Sequence, residues 1–231
     1  MKIIIATPSP YARKARVALR EKSIDFEEII DVPWNTNTLT QGINPLGKVP
    51  VLLQDNNEPL FDSKLIVQYL DFYEPQPLLY PEDPEDNLCA RLVETVADGV
   101  CDAIVLIFLE NARKETLRSK DWIKRQESKI YGGVKYLANH LEEKKYFVGN
   151  HFNIADICGF SCLEYLDLRF PKFQWRSEYQ NLENYWKIHK DRQSFKETKP
   201  TAQIIYLPYI KRQLFSCSNV GKQQHGNNKH S

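Results

Sequence analysis

The chain has 231 residues, 42% of them hydrophobic and 26% charged, with a formal net charge of +1. That length suits one large domain or two modest ones, and the composition is that of an ordinary soluble globular protein. The near-neutral charge excludes a dedicated nucleic-acid binder, and no apolar stretch approaches the roughly 20 residues that cross a bilayer.

Lys2 to Ala6 reads as a buried strand. Pro10 to Glu21 reads as a helix whose apolar side is Ala12, Ala15, Val17, Ala18 and Leu19. Ile24 to Ile30, rich in β-branched and aromatic residues, is a second strand, and a parallel pairing through the helix makes a βαβ unit. Asp31 to Gly42 is a loop with at most a short helix. Val49 to Gln54 and Glu58 to Phe61 form an antiparallel hairpin, and Asp62 or Ser63 then caps a helix through Tyr73. Pro75, Pro77, Pro81 and Pro84 interrupt the pattern, and the stretch reads as an interdomain linker.

Everything beyond is helical in period. Helices are expected at about 87–113, 119–141, 154–170 and 178–190, and a weak one at 201–215, with Gly132-Gly133 weakening the middle of the second. The expected domains are therefore an α/β unit at 1–76, a linker at 77–86, an all-α unit at 87–215 and a disordered polar tail at 216–231. The cysteines, Cys89, Cys101, Cys158, Cys162 and Cys217, are odd in number with no disulfide framework, and no signal peptide is evident, so a cytoplasmic location is expected. Cys158 and Cys162 are four apart on an expected helix, and apolar packing explains them better than a metal site. His225 and His230 in the tail suit loose metal binding or simple solvation.

Three short stretches carry chemistry. Ser9-Pro10 sits at a strand-to-helix junction, where Ser caps and Pro takes the first helical position. The free N–H groups and positive dipole end of such a corner suit an anion, including a thiolate; from spacing alone, plain capping is the simpler reading of Ser9. Gly47-Lys48-Val49-Pro50-Val51 precedes a strand, and Pro50 fits either a cis turn that turns the Val49 backbone outward or a trans strand start. Asp62-Ser63 offers a carboxylate to an amine, and a hydroxyl and N–H groups to a carboxylate, or it caps a helix and nothing more. A fourth stretch, Phe152-Asn153-Ile154-Ala155-Asp156, has capping-box spacing and is assigned a structural role.

In this order and spacing, Ser9-Pro10-Tyr11 with Arg13-Lys14 and Val17, Asn44-Pro45-Leu46-Gly47-Lys48-Val49-Pro50, Asp62-Ser63, the proline-rich linker and Phe152 to Asp156 resemble the soluble glutathione S-transferase family, over nearly the whole chain to about residue 210. The N-terminal pattern looks most like its serine-type and bacterial members. The resemblance implies a thioredoxin-like α/β N-terminal domain, an all-α C-terminal domain, glutathione as co-substrate, no metal and a homodimer. It implies that Ser9 stabilises the glutathione thiolate, that the Val49 backbone ahead of a cis Pro50 pairs with the cysteinyl part, and that Asp62 and Ser63 hold the γ-glutamyl end. Lys48, with Asn35 or Gln41, falls where the glycyl end is often held. Many members have Glu where this chain has Asp62, so that contact is expected to be longer or water-mediated. Tyr11, Trp34, Phe108 and Asn111, with Tyr165, are candidates for a second-substrate pocket taking an apolar electrophile.

Ser9 competes with Thr7 as the thiolate's hydroxyl, and Arg13 is either an added positive potential or a surface charge. The first 76 residues hold no cysteine, which excludes a Cys-x-x-Cys redox centre there. Alternatives to a conjugating transferase are a non-catalytic relative of the stringent-starvation type, which binds a protein partner, and a glutathione-dependent isomerase or dehalogenase.

Overall fold

A computed structural model describes residues 1–204. The N-terminal domain runs β1 (Lys2–Ile5), α1 (Pro10–Glu21), β2 (Glu27–Ile30), α2 (Thr40–Ile43), β3 (Val51–Leu53), β4 (Pro59–Leu60) and α3 (Ser63–Tyr73). The helical domain follows as α4 (Pro84–Ala112), α5 (Lys120–Leu141), α6 (Ile154–Arg169), α7 (Trp175–Glu178), α8 (Gln180–His189) and α9 (Gln193–Glu197). The sheet order is β2-β1-β3-β4, with β1 parallel to β2 and antiparallel to β3, and β3 antiparallel to β4.

The apolar side expected for α1 is buried: Ala12, Ala15, Val17, Ala18 and Leu19 are fully enclosed. Its ends match the expected ones, with Ser9 capping and Pro10 at N1. The second strand is shorter than expected because β1 offers only Lys2 to Ile5 as partners, and these pair with Glu27 to Ile30. β3 starts at Val51, since Pro50 has no N–H to give a ladder. Of the four prolines read as a linker, Pro84 instead occupies N1 of α4, where Asp83 accepts from the Glu85 and Asp86 amides at 3.0 Å.

α5 is continuous through Gly132-Gly133, and the reason is close packing. A Cβ on Gly133 would lie 2.3 Å from Val100 Cγ2 on α4, so glycine permits the approach of the two helices. The short α9 is not expected from the sequence, and residues 201–204 are not helical. The remainder of the expected 201–215 helix, the 216–231 tail, Cys217, His225 and His230 lie outside the described residues.

Charged residues of α1 join the two domains. Lys14 Nζ, on a side chain 2% exposed, reaches Glu94 at 2.8 Å and Asp98 at 2.7 Å on α4, and Tyr80 donates to Glu94 at 3.0 Å. Arg13 pairs with Glu164 on α6 at 2.6 Å and donates to the Phe195 carbonyl at 3.1 Å. Arg13 is thus not a surface charge, and Glu164 neutralises it in the domain interface. Arg192 pairs with Glu21, and Lys22 with Asp71 at 2.8 Å, so the C-terminal end of α1 is tied down as well. Cys158 and Cys162 are buried in α6, as apolar packing predicts.

Candidate functional site

Strand register gathers the sequence candidates at one end of the sheet. Ile4 faces Val51 across the β1–β3 ladder, so Ala6 and Val49 lie just past its end. Leu52 faces Leu60, which carries Asp62 to the same end beside Pro50. Ser9 follows at once, its amide donating to the Ala6 carbonyl at 3.0 Å.

Ser9 is half-buried with extended backbone (φ −70°, ψ 120°), and its Oγ accepts from the Ala12 amide at 3.1 Å. Among the described residues that hydroxyl donates to nothing. Thr7 differs, because its Oγ1 donates to the Thr201 carbonyl at 3.1 Å. The Val49–Pro50 bond is cis. Pro50 is buried, and among the described residues the Val49 N–H and C=O have no backbone partner. Asn44, 2% exposed, shapes the approach: its Nδ2 donates to the Lys48 carbonyl at 2.8 Å and its Oδ1 accepts from the Leu46 amide at 2.9 Å. Sequence reasoning singled out Asn44 only as part of the family pattern. Its short polar side chain before Pro45-Leu46-Gly47 was the available signal.

Asp62 caps α3, accepting from the Lys64 amide at 3.0 Å and the Leu65 amide at 3.5 Å, both at Oδ1. Its Oδ2 is left without a bond among the described residues, and the residue is exposed. Ser63 is buried at N1 of that helix. Lys48 and Gln41 are exposed on the loop before β3, and Asn35 is half-buried.

The second-substrate candidates lie where α4 and α6 face the N-terminal domain. The Tyr11 hydroxyl donates to Asp102 on α4, and burial raises its pKa, so the phenol keeps its proton. Trp34 stacks on Phe108 with ring centroids 6.0 Å apart and an interplanar angle of 21°. Asp31 fixes the loop that carries Trp34, accepting from the Val32 amide at 2.8 Å and the Thr40 amide at 2.9 Å, with the Thr38 hydroxyl bound as well. Asn111 is exposed one turn along α4 from Phe108, and Tyr165 is buried on α6. Sequence reasoning missed Asp102 and Arg169, whose guanidinium lies 4.3 Å above the Phe108 ring centroid. One surface groove, about 620 Å³ and lined by Asp86, Cys89, His140 and neighbours, contains none of the candidates.

Two family models match the chain, the glutathione S-transferase N-terminal domain over residues 8–71 and the C-terminal domain over 120–186. The GST-like protein YibF of Escherichia coli (strain K12), itself uncharacterized, is 33% identical over 200 residues, covering 87% of this chain and 98% of the relative. Glutathione S-transferase U28 of Arabidopsis thaliana is 32% identical over 90% of this chain and 92% of its own length. Among solved structures, a glutathione S-transferase of Methylobacterium radiotolerans in complex with glutathione sulfonate is 42% identical, with a TM-score of 0.87, covering 89% of this chain and 97% of that one. One from Methylobacillus flagellatus with glutathione bound is 37% identical at a TM-score of 0.84, covering 87% and 99%. Both domain models fall on the two domains of the fold in the right order, and the Ser9 corner, the cis Pro50 loop and the α3 cap meet at one sheet end: this chain belongs to the glutathione S-transferase family.

Proposed function

We propose that this glutathione transferase forms and holds the glutathione thiolate at Ser9 and presents it to an electrophile in the cleft between its domains. One observation carries the choice of residue. The Ser9 hydroxyl accepts from Ala12 and keeps its own proton free, whereas Thr7 spends its proton on the Thr201 carbonyl. An accepted hydrogen bond polarises the hydroxyl and strengthens it as a donor. Donation to sulfur, with the positive end of α1 behind it, favours the charged form of a thiol that ordinarily titrates near about 8.5.

The Val49 N–H and C=O, open beyond the ladder, suit antiparallel pairing with a peptide, here the cysteinyl part of glutathione. Asp62 Oδ2 suits the γ-glutamyl ammonium, and the Ser63 amide at N1 suits its carboxylate. Lys48 is the cation for the glycyl carboxylate. Relatives at 42% and 37% identity hold glutathione sulfonate and glutathione, and one from Pseudomonas fluorescens at 30% holds S-(propanoic acid)-glutathione, which supports the same ligand class here. The thiolate attacks the electrophilic carbon, a C–S bond forms, and the leaving group departs with its electron pair.

We further propose a homodimer through α3 and α4. Leu65, Phe72, Leu88 and Leu92 on those helices are 46%, 85%, 70% and 46% exposed, an apolar set that a second copy would cover. The unpaired state of all four described cysteines fits a reducing, cytoplasmic setting. Titration calorimetry with glutathione, paired with an aryl halide assay, tests the core of the reading. Binding and turnover are expected, with most turnover lost in Ser9→Ala; absence of glutathione binding would overturn it.

A further inference from the structure

Among the described residues, Arg169 stands in the cleft without a carboxylate partner. Arg169 is the half-buried last residue of α6. Its guanidinium centre lies 4.3 Å over Phe108, which stacks on Trp34, and the Tyr165 hydroxyl faces it from one turn earlier. Its Nε is buried without a hydrogen-bond partner, and among the described residues no carboxylate pairs with it. The nearby acids are engaged elsewhere. Glu164 pairs with Arg13, Asp167 with Arg176, and Asp102 accepts from Tyr11.

Four other enclosed arginines, which join α1 to its neighbours, are paired. Arg13, Arg16, Arg20 and Arg192 each meet a carboxylate at 2.9 Å or less. A half-buried guanidinium among aromatic rings loses hydration, and that cost is ordinarily offset by a paired anion. The C-terminal dipole of α6 supplies a little compensation through the backbone, without satisfying the fork of N–H donors. Two of the rings around that fork, Phe108 and Trp34, line the candidate second-substrate pocket.

We infer that Arg169 is a specificity-determining residue that binds an anionic group, a carboxylate, on an aromatic second substrate. The inference rests on the transferase reading and sharpens it: the electrophile has a ring to lie against Trp34 and Phe108 and an acidic head to meet Arg169. A planar carboxylate matches the guanidinium fork, and charge-assisted bonds of this kind are the stronger ones.

The probes are S-(4-carboxybenzyl)glutathione and its neutral carboxamide, S-(4-carbamoylbenzyl)glutathione, titrated calorimetrically beside glutathione itself. The carboxylate conjugate is expected to bind about tenfold or more tightly than the carboxamide at low salt, with the gap narrowing as salt is raised. Arg169→Met should bring the ratio of the two dissociation constants close to one, and Arg169→Lys should retain part of it. Equal binding of the two conjugates by wild type, while glutathione binds, would overturn the role of Arg169 and leave the transferase reading standing. A preference that survives Arg169→Met would do the same. Failure of glutathione and both conjugates to bind would overturn both. If Arg169→Met does not fold, the wild-type ratio and its salt dependence decide.

Discussion

The Ala12 amide donates to Ser9 Oγ at 3.1 Å. This bond makes the serine the cap of α1 and leaves its hydroxyl proton unspent among the described residues, which is the basis of the thiolate role proposed for it. Ser9→Ala removes both. Its capping loss should cost about 0.5–2 kcal/mol of stability, and kcat/KM should fall by roughly tenfold to a hundredfold with glutathione binding largely kept. The thiol titration read by thiolate absorbance should move to higher pH. Thr7→Val should leave that titration in place, and the reverse pattern would reassign the thiolate's partner to Thr7.

Lys14 is the buried cation between Glu94 and Asp98, at 2.8 and 2.7 Å. Lys14→Met leaves Glu94 enclosed without its cation, so urea unfolding should show a loss of about 3–5 kcal/mol. Combining it with Glu94→Gln should recover part of that loss. A strictly additive double variant would show that the pair does not act as a unit.

Gly133 faces Val100 so closely that a Cβ would lie 2.3 Å from Cγ2. Gly133→Ala should therefore destabilise by about 1–3 kcal/mol despite the better helix propensity of alanine. Shortening the partner with Val100→Ala in the same chain should soften the penalty. Thermal unfolding of the three variants measures this, and an unchanged midpoint for Gly133→Ala alone would mean that the helices separate at no cost.

His189 is buried against Tyr146, Phe152 and Tyr185, with Nε2 2.8 Å from the Lys145 carbonyl. Burial, aided by Arg192 and Lys145, holds its pKa below the usual 6.5, although the Lys145 carbonyl opposes the shift. The folded state thus keeps the ring neutral where the unfolded chain takes a proton. Stability from this residue is fully present above pH 6.5 and is lost as pH falls through the lower folded value, by no more than about 1.4 kcal/mol per pH unit. Thermal midpoints measured downward from neutral pH should decline over that range, and His189→Gln should flatten the decline.

The devices legible in the sequence act within a few residues. Ser9 with Pro10, Asp62 before α3, and Asn153 with Asp156 all close hydrogen bonds across one helical turn, and each occurs where the spacing indicates. The interface roles of α1 were less legible, because Arg13 and Lys14 look like any solvated pair until Glu164, Glu94 and Asp98 arrive from the other domain. Four cations on one short amphipathic helix were the signal that its second face is also covered. Pro84 misled in the same way, since a proline ends a helix or begins one, and only the Asp83 cap distinguishes the two.

Sequence by itself determined the two-domain order, most element positions and the corner that holds Ser9, because propensity, capping and hydrophobic period are local properties of the chain. Tertiary structure alone decided that Thr7 is occupied by Thr201, that Asp102 holds Tyr11, and that Arg169 stands over Phe108 without a carboxylate among the described residues. Those relationships join residues far apart in the chain, and no local rule sets which distant partner a side chain meets or fails to meet. That is settled when the helical domain packs against the sheet and the buried charges find, or lack, their counter-ions.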